Sequence, residues 1–287
     1  MKYQTASEWT DTAQKRVLLF AMSGLGKTHV SAMLRETRDW FHYSIDYRIG
    51  TRYMGNYITE DAKTEANKIP FLRELLLNNN IHIGSNISFD NLTPVSNYLG
   101  KPGNLAKSGL VMAEYQRRQG QFQLAELEAL RDTPYFINRA KALYGHPNFI
   151  CDTGGSICEW VNPNDPADPI LKMLSDNCLM VWIEGNDDHT SDLIQRFDKT
   201  PKPMAYEPDF LLRTWQEYLN KNNILETEVD PDTFIRWTYA RALAHRQPRY
   251  KAMAKNWGIT VQASEMATVR DEADFVSLIA RGLALLA

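Results

Sequence analysis

Residues 16–28, RVLLFAMSGLGKT, restrict the possible folds of this chain more than any other segment. Residues 17–20 form a short continuous apolar run, which is typical of a central parallel strand that is covered on both faces. Residues 23–26 then turn the chain, and Lys27 and Thr28 begin a segment that can be helical. The pattern predicts a buried strand, a phosphate-binding loop and a helix, in that order.

The loop and the first turn of the helix form a candidate nucleotide site. Glycines let the backbone approach a ligand closely and turn successive N–H groups inward, and the helix N-terminus adds partial positive charge. The residues expected to bind ATP are Ser23, Gly24, Leu25, Gly26, Lys27 and Thr28. We expect Lys27 to reach the β- and γ-phosphates and the Thr28 hydroxyl to hold Mg²⁺.

One position departs from the G-x-x-x-x-G-K-[ST] pattern, because Ala21 stands where the first glycine is expected. Alanine tolerates little positive φ, so we expect a slightly different backbone at the start of the loop or a permissive position. The alternative is a chance GLGKT in a surface turn. The strand before the loop and the helix after it favour the phosphate site.

Composition narrows the class of protein. The chain has 287 residues, a net charge of −3 and 44% hydrophobic residues, which suits one large α/β domain with a sizeable core. No apolar run approaches the ~20 residues that span a bilayer. The first residues lack the apolar centre of a signal peptide, so we expect a cytoplasmic protein without a membrane partner. The near-neutral charge makes a nucleic-acid partner unlikely. Cys151, Cys158 and Cys178 are expected to be reduced structural residues.

A second strand is predicted over residues 40–46, where Phe41, Tyr43 and Ile45 alternate with other residues and Asp46 ends the strand.

Directly after this strand, the sequence YRIGTRYMGNY brings together Arg48, Arg52, and the flexible Gly50 and Gly55. Ligands of open parallel sheets bind beyond the carboxyl ends of strands, so Asp46, Arg48 and Arg52 are candidate substrate-binding residues. Arginine suits a phosphate or carboxylate group because its fork binds bidentately. The alternative is a solvated helix start with an acidic residue in its first turn.

The segment from 57 to 146 is mainly helical in pattern and too long for one crossover helix. We expect it to be broken near Gly120 and Pro134 and to cap the active site. Residues 1–14 are expected to be a polar leader.

The predicted organisation is therefore a single domain. Its core comprises residues 15–56, 147–204 and 256–287, and its helical insertions comprise residues 57–146 and 205–255.

The sequence NFICDTGGS, residues 148–156, is the second motif. An apolar strand ends at Asp152, which is the pattern of an acid that orients Mg²⁺ or its water shell beside a phosphate loop. Gly154 and Gly155 permit close approach of the backbone to a ligand. A plain Asp-Thr-Gly-Gly turn that merely ends a strand is the alternative.

A further strand, residues 178–185, precedes a cationic helix with Arg196 and then Lys199 and Lys202. These cations are placed to neutralise charge on a transferred phosphoryl group, or are ordinary cations at a helix C-terminus. The segment 245–249, HRQPR, is a weaker candidate for a patch on the substrate side.

The order of these motifs resembles the P-loop small-molecule and nucleotide kinases, most closely the shikimate-kinase-type branch. The matching elements are SGLGKT at 23–28, Asp46, TGGS at 153–156, LMVWIEG at 179–185 and the helix of Arg196. The resemblance implies a three-layer α/β P-loop NTPase fold with a central, mainly parallel sheet and a helical insertion subdomain.

The resemblance also implies that Asp46, Gly154 and Gly155 bind the substrate and that Arg196 belongs to a cationic lid over ATP. It covers about half the chain. Ala21, Ser156 and the long insertion depart from the family pattern, which makes shikimate itself an unlikely substrate.

We therefore expect ATP-dependent, Mg²⁺-requiring phosphoryl transfer to a small hydroxylated or phosphorylated metabolite. Lys27, Asp46, Asp152 and Arg196 would be the catalytic residues, with Asp46 drawing off the proton of the acceptor hydroxyl and Thr28 and Asp152 organising the metal. The alternative is an ATP-binding switch or ATPase that acts on a protein partner. A protein partner or a homo-oligomer is compatible with either hypothesis. A nucleic-acid-end kinase is a third hypothesis, which the net charge disfavours.

Overall fold

A five-stranded sheet forms the centre of the structure, a computed structural model that describes residues 1–286. The strands are β1 (Arg16–Phe20), β2 (Trp40–Ser44), β3 (Asn148–Asp152), β4 (Leu179–Glu184) and β5 (Gly258–Gln262). They lie in the order β2–β3–β1–β4–β5, and every neighbouring pair is parallel. The prediction of an α/β fold with a central, mainly parallel sheet is confirmed.

The connections between strands are helical. The α-helices are α1 (Ala6–Asp11), α2 (Lys27–Glu36), α3 (Ile45–Arg48), α4 (Gly55–Ala66), α5 (Pro70–Leu77), α6 (Thr93–Leu99), α7 (Met112–Arg131), α8 (Thr133–Tyr144), α9 (Ile157–Trp160), α10 (Pro169–Asn177), α11 (Asp187–Lys199), α12 (Pro208–Asn222), α13 (Pro231–Trp257), α14 (Ala263–Met266) and α15 (Glu272–Ala284). A π-helical stretch, Ile49–Met54, joins α3 to α4, and two short 3₁₀ turns lie at Leu105–Lys107 and Glu226–Glu228. No helix within residues 1–286 combines the length and the apolar character that a membrane crossing needs.

Helices cover both faces of the sheet. Successive side chains of a strand point to opposite faces, so the complete burial of residues 17–20 in β1 requires cover on each side. Helix α2 packs against β2 and β3, α10 and α13 pack against β4, and α15 packs against β5. The three predicted structural cysteines are free thiols buried in this core.

The N-terminal segment differs from the predicted polar leader. Residues 6–11 form α1, and the indole of Trp9 is completely buried. Its Nε1 donates a hydrogen bond of 2.9 Å to the carbonyl oxygen of Val276 in α15. Trp9 is the only large apolar residue of α1, and its neighbours are mostly polar. For this reason the composition of the segment did not predict the helix.

The second strand also ends earlier than predicted. The chain leaves β2 at Ser44, whose hydroxyl caps α3, and Asp46 lies in the first turn of that helix. The expected flexibility of Gly50 and Gly55 is wrong, because both lie in continuous helical structure. A Cβ atom at Gly50 would lie 2.9 Å from the side chain of Ile87, so close packing accounts for this glycine.

The long helical pattern of the insertion was predicted with two breaks. The break near Pro134 is confirmed, since α8 begins at Thr133. The break near Gly120 is wrong, because α7 continues through this residue to Arg131. A single glycine costs a helix only about 1 kcal/mol, which packing against the core offsets.

Replacing Trp9 with alanine tests the role of α1. We expect the free energy of unfolding to fall by about 3–5 kcal/mol, as for other fully buried tryptophans that are truncated. Urea unfolding followed by circular dichroism measures this change. The control is Leu225→Ala, because Leu225 is 70% exposed and its truncation should change stability by less than about 0.5 kcal/mol. Equal stability of the two variants would show that α1 is not part of the folded core.

Candidate active site

The predicted phosphate loop lies between β1 and α2. Gly24 and Gly26 have φ values of +84° and +87°, in the left-handed region that favours glycine, and Gly26 caps the N-terminus of α2. Ala21 is not among the residues with positive φ, so alanine takes the place of the first glycine without backbone strain.

Lys27 is buried inside this loop. Its Nζ donates hydrogen bonds to the carbonyl oxygens of Ala21 (2.9 Å) and Met22 (3.0 Å). Burial lowers the pKa of Lys27 to about 8, although the negative charges of Asp46 and Asp152 counteract this effect. At neutral pH the ammonium group is therefore largely protonated and available for an anion that replaces the two carbonyls.

Thr28 and Asp152 lie together at the carboxyl end of β3. The Thr28 hydroxyl donates to Asp152 Oδ2 (2.8 Å), and His42 Nε2 lies 3.1 Å from Oδ1. Burial alone would raise the pKa of Asp152, but hydrogen bonds from His42 and Thr28 outweigh it and lower the pKa. An ionised carboxylate next to a hydroxyl fits Mg²⁺, which takes one or two protein oxygens and completes its shell with phosphate oxygens and waters.

The Asp46 carboxylate lies beside the turn that follows β3. A Cβ atom at Gly154 would lie 2.7 Å from Asp46 Oδ1, so only glycine leaves space for this carboxylate. Burial and the charge of Asp152 raise the pKa of Asp46 to about 6, against the opposing effect of Lys27. Asp46 is thus ionised at neutral pH but has a higher proton affinity than an ordinary aspartate.

Glu126 is a buried carboxyl that the sequence analysis did not single out. Its Oε2 accepts hydrogen bonds from Ser156 Oγ (2.5 Å) and Trp160 Nε1 (2.7 Å). Its Oε1 has no hydrogen-bond partner within residues 1–286 and lies 3.3 Å from where a Gly154 Cβ would be. Burial, above all, raises the pKa of Glu126 to about 7.

A signal for Glu126 was present in the sequence. Met112, Tyr115 and Gln119 are buried at helical spacing, and the same spacing continues to Glu126. A carboxylate on the buried face of a helix is uncommon unless it has a partner or a function.

Two cavities meet at Asp46. A polar cavity of about 260 Å³ lies over the phosphate loop and includes Lys27 and Thr28 in its wall. A second cavity, of about 290 Å³, lies beside it. Ser23, Asp46 and Gly155 line both. Asp46 therefore borders both the polar space over the phosphate loop and the second cavity.

Of the three arginines predicted to bind ligands, one lies at the phosphate loop and two lie away from the cavities. Arg196 lies over the phosphate loop, since a Cβ atom at Gly24 would lie 3.5 Å from its Nη2. Arg48 instead donates to Asp132 Oδ2 (2.7 Å), and Arg52 is exposed. Among the described residues, the walls of the two cavities include neither Arg48 nor Arg52. Residues two apart on a helix do not share a face, which separates Arg48 from Asp46.

Helix α13 contributes two residues to the site. Arg246 lies in the wall of the second cavity, where Nε donates to Glu159 Oε1 (2.5 Å) and Nη2 donates to the carbonyl oxygen of Ala205 (2.6 Å). The Tyr250 hydroxyl donates to the carbonyl oxygen of Gly155 (2.5 Å). Of the predicted 245–249 patch, Arg246 is the residue in the cavity wall, whereas Arg249 donates to the carbonyl oxygen of Cys158.

Comparisons with known proteins give little further information. No protein-family model matches the chain, and no curated protein matches its sequence. The chain is similar to the crystal structure of shikimate kinase from Bacteroides thetaiotaomicron, at 14% sequence identity and a TM-score of 0.41. The superposition covers 95% of this chain and 98% of that one.

Titration of Asp46 tests the electrostatics of the site. We expect ¹³C NMR of the ligand-free protein to give a pKa of about 6 for this carboxyl. In Asp152→Asn the pKa should fall, because a nearby negative charge that disfavours ionisation is removed. Asp187→Asn, at the exposed start of α11, is the control and should leave the titration unchanged. An Asp46 pKa that does not respond to Asp152→Asn would contradict the described proximity of the two carboxylates.

Proposed function

We propose that the protein is a kinase that transfers the γ-phosphoryl group of ATP to a hydroxyl group of a small molecule. The observation that carries this proposal is the position of Asp46. Its carboxylate lies where the polar cavity over the phosphate loop meets the second cavity. A general base must lie within hydrogen-bond reach of the acceptor hydroxyl and next to the phosphoryl donor, and Asp46 meets both conditions when the acceptor occupies the second cavity.

The residues of the loop supply the donor side. The backbone of residues 23–26 and the ammonium group of Lys27 would bind the phosphates, with Lys27 exchanging the carbonyls of Ala21 and Met22 for phosphate oxygens. Thr28 and Asp152 would hold Mg²⁺, which when bound neutralises phosphate charge. Arg196, beside Gly24, would stabilise the charge of the transferred group.

Asp46 supplies the acceptor side. The acceptor oxygen forms a bond to the γ-phosphorus while the bond from that phosphorus to the β,γ-bridging oxygen breaks, and ADP leaves. The hydroxyl proton passes to Asp46 and then to solvent. With a pKa of about 6, Asp46 is ionised at neutral pH and binds a proton more readily than an ordinary aspartate.

An ATP-dependent switch that acts on a protein partner is the second candidate. The observation that favours it is α5, in which no residue is buried and Phe71 and Leu77 are 70% and 65% exposed. Exposed apolar side chains of this kind are common at protein–protein contacts. Acceptor dependence separates the candidates, because a kinase consumes ATP when its acceptor is present, whereas a switch hydrolyses ATP alone or in response to a protein.

Nucleotide binding tests the loop. We expect the non-hydrolysable analogue AMP-PNP with Mg²⁺ to raise the melting temperature of the protein, because a ligand of the folded state stabilises it by mass action. Lys27→Ala should abolish this shift and retain the circular dichroism of the wild type. Lys221→Ala, an exposed lysine of α12, is the matched control and should behave as the wild type. Undiminished nucleotide binding by Lys27→Ala would remove the loop from the proposed site.

The pH dependence of turnover tests Asp46. We expect kcat/KM to rise about tenfold per pH unit below about pH 6, because the base must be deprotonated, and to level off between about pH 6 and the pKa of Lys27 at about 8. Asp46→Asn should lower kcat by about 10²–10⁴-fold and keep the affinity for AMP-PNP. The measurement is acceptor-dependent release of ADP. An Asp46→Asn variant with wild-type kcat would exclude Asp46 as the base.

A further inference from the structure

The second cavity beyond Asp46 has mainly apolar walls. Its apolar side chains include Ile49, Val95, Leu99, Phe122, Phe197 and Leu243. We infer that the acceptor is an alcohol with a compact apolar body, which fills this cavity and presents its hydroxyl to Asp46. This inference rests on the proposed kinase function and names the class of its acceptor.

Charge in the cavity argues against a phosphorylated or carboxylated acceptor. The guanidinium of Arg246 is buried and paired with Glu159, and two of its three nitrogens already donate to protein oxygens. Lys202 also lines the cavity but is exposed to solvent. Asp46 adds a negative charge at the inner end. An anionic acceptor would therefore lose its hydration without gaining an uncompensated buried cation.

Polar groups lie at the two ends of the cavity, with Ser96 and Lys202 where it opens to solvent and a second group where it meets the phosphate loop. Asp46, Gly154 and Ser156 lie at the inner end, next to the phosphate loop, and the apolar side chains between the ends come largely from α6, α7 and α13. An acceptor with one hydroxyl at its end and an apolar remainder matches this polarity. A polyol would leave several hydroxyl groups against apolar walls without hydrogen-bond partners, which costs free energy for each group.

The volume of the cavity limits the size of the acceptor. At about 290 Å³ it has roughly twice the volume of an apolar cavity of ~150 Å³ that binds benzene. It therefore suits a body on the order of a dozen non-hydrogen atoms. The cavity shares Leu92, Ser96, Lys202 and Pro203 with a wide outer cleft of about 1110 Å³, which gives the acceptor a route that does not pass the phosphate loop.

A series of linear alcohols from butan-1-ol to octan-1-ol tests the inference with the full chain. Isothermal titration, with and without AMP-PNP and Mg²⁺, gives the dissociation constant of each alcohol. We expect Kd to fall about fourfold for each added CH₂ group, because each one transfers apolar surface out of water. Myo-inositol and glycerol 3-phosphate, as polyol and phosphorylated probes, should bind more weakly than octan-1-ol. A Kd independent of chain length, or tighter binding of either polar probe, would overturn the inference.

Two variants on one helix locate the binding site. Phe122→Gln places an amide in the cavity wall, and we expect it to weaken the binding of octan-1-ol at least tenfold. Leu124→Gln changes a residue of α7 that is 61% exposed and should bind octan-1-ol as the wild type does. Equal affinities in the two variants would show that the alcohol binds elsewhere, which also contradicts the inference. The melting temperature of each variant shows whether it is folded. The chain-length series of the wild type tests the inference without any variant.

Nucleotide binding distinguishes the two proposals. If AMP-PNP binds and the alcohols show no dependence on length, the assigned acceptor class is wrong and the kinase proposal survives. If AMP-PNP does not bind, the kinase proposal fails, whatever the alcohol series shows. Formation of octyl phosphate from ATP and octan-1-ol, followed by ³¹P NMR, would support both.

Discussion

The register of three parallel strands holds the site together. Asp152 at the end of β3 pairs with Leu19 of β1 on one side and with Ser44 of β2 on the other. The phosphate loop begins two residues after Leu19, and Asp46 lies two residues after Ser44. Because parallel strands end at the same edge of a sheet, this register brings the loop, the candidate metal-binding carboxylate and the candidate base to one place. A shift of one residue in either pairing would separate them and turn side chains to the wrong face.

The same arrangement gives two aspartates different chemical properties. His42 and Thr28 stabilise the ionised form of Asp152, so its pKa is lowered. The pKa of Asp46 is raised to about 6, in part because Asp152 is ionised nearby. Burial lowers the pKa of Lys27, but the charges of Asp46 and Asp152 raise it, so Lys27 keeps most of its charge at neutral pH. One carboxylate thus suits a metal ion and the other suits proton transfer, as neighbouring acids in active sites commonly do.

Much of this site could be predicted from the sequence, because its main parts are local. The loop, Asp152 and the glycines that follow it are short motifs whose chemistry depends on neighbours along the chain. Asp46 could be placed from the end of a strand, although the strand ends at Ser44 and the residue lies on a helix. The central sheet could be predicted from continuous apolar runs, because strands that are covered on both faces have this pattern.

The remaining parts depend on contacts between distant segments. Glu126 and Tyr250 come from the two helical insertions, and nothing in their immediate sequence indicates that they meet the Gly154–Ser156 turn. Arg48 was expected to bind substrate because it follows a strand closely, but the helical geometry after Ser44 turns it to Asp132. Trp9 was missed because the single residue that anchors α1 is surrounded by polar ones. Side-chain direction and tertiary packing, which local patterns do not encode, decide each of these cases.

A crystal structure of the protein with AMP-PNP and Mg²⁺ tests the central claim most directly. The account predicts that Lys27 Nζ leaves the carbonyl oxygens of Ala21 and Met22 and contacts the β- and γ-phosphates. It also predicts that Mg²⁺ lies by Thr28 and Asp152 and that the γ-phosphate occupies the polar cavity next to Asp46. A nucleotide bound elsewhere, with Lys27 still on the two carbonyl oxygens, would contradict the account.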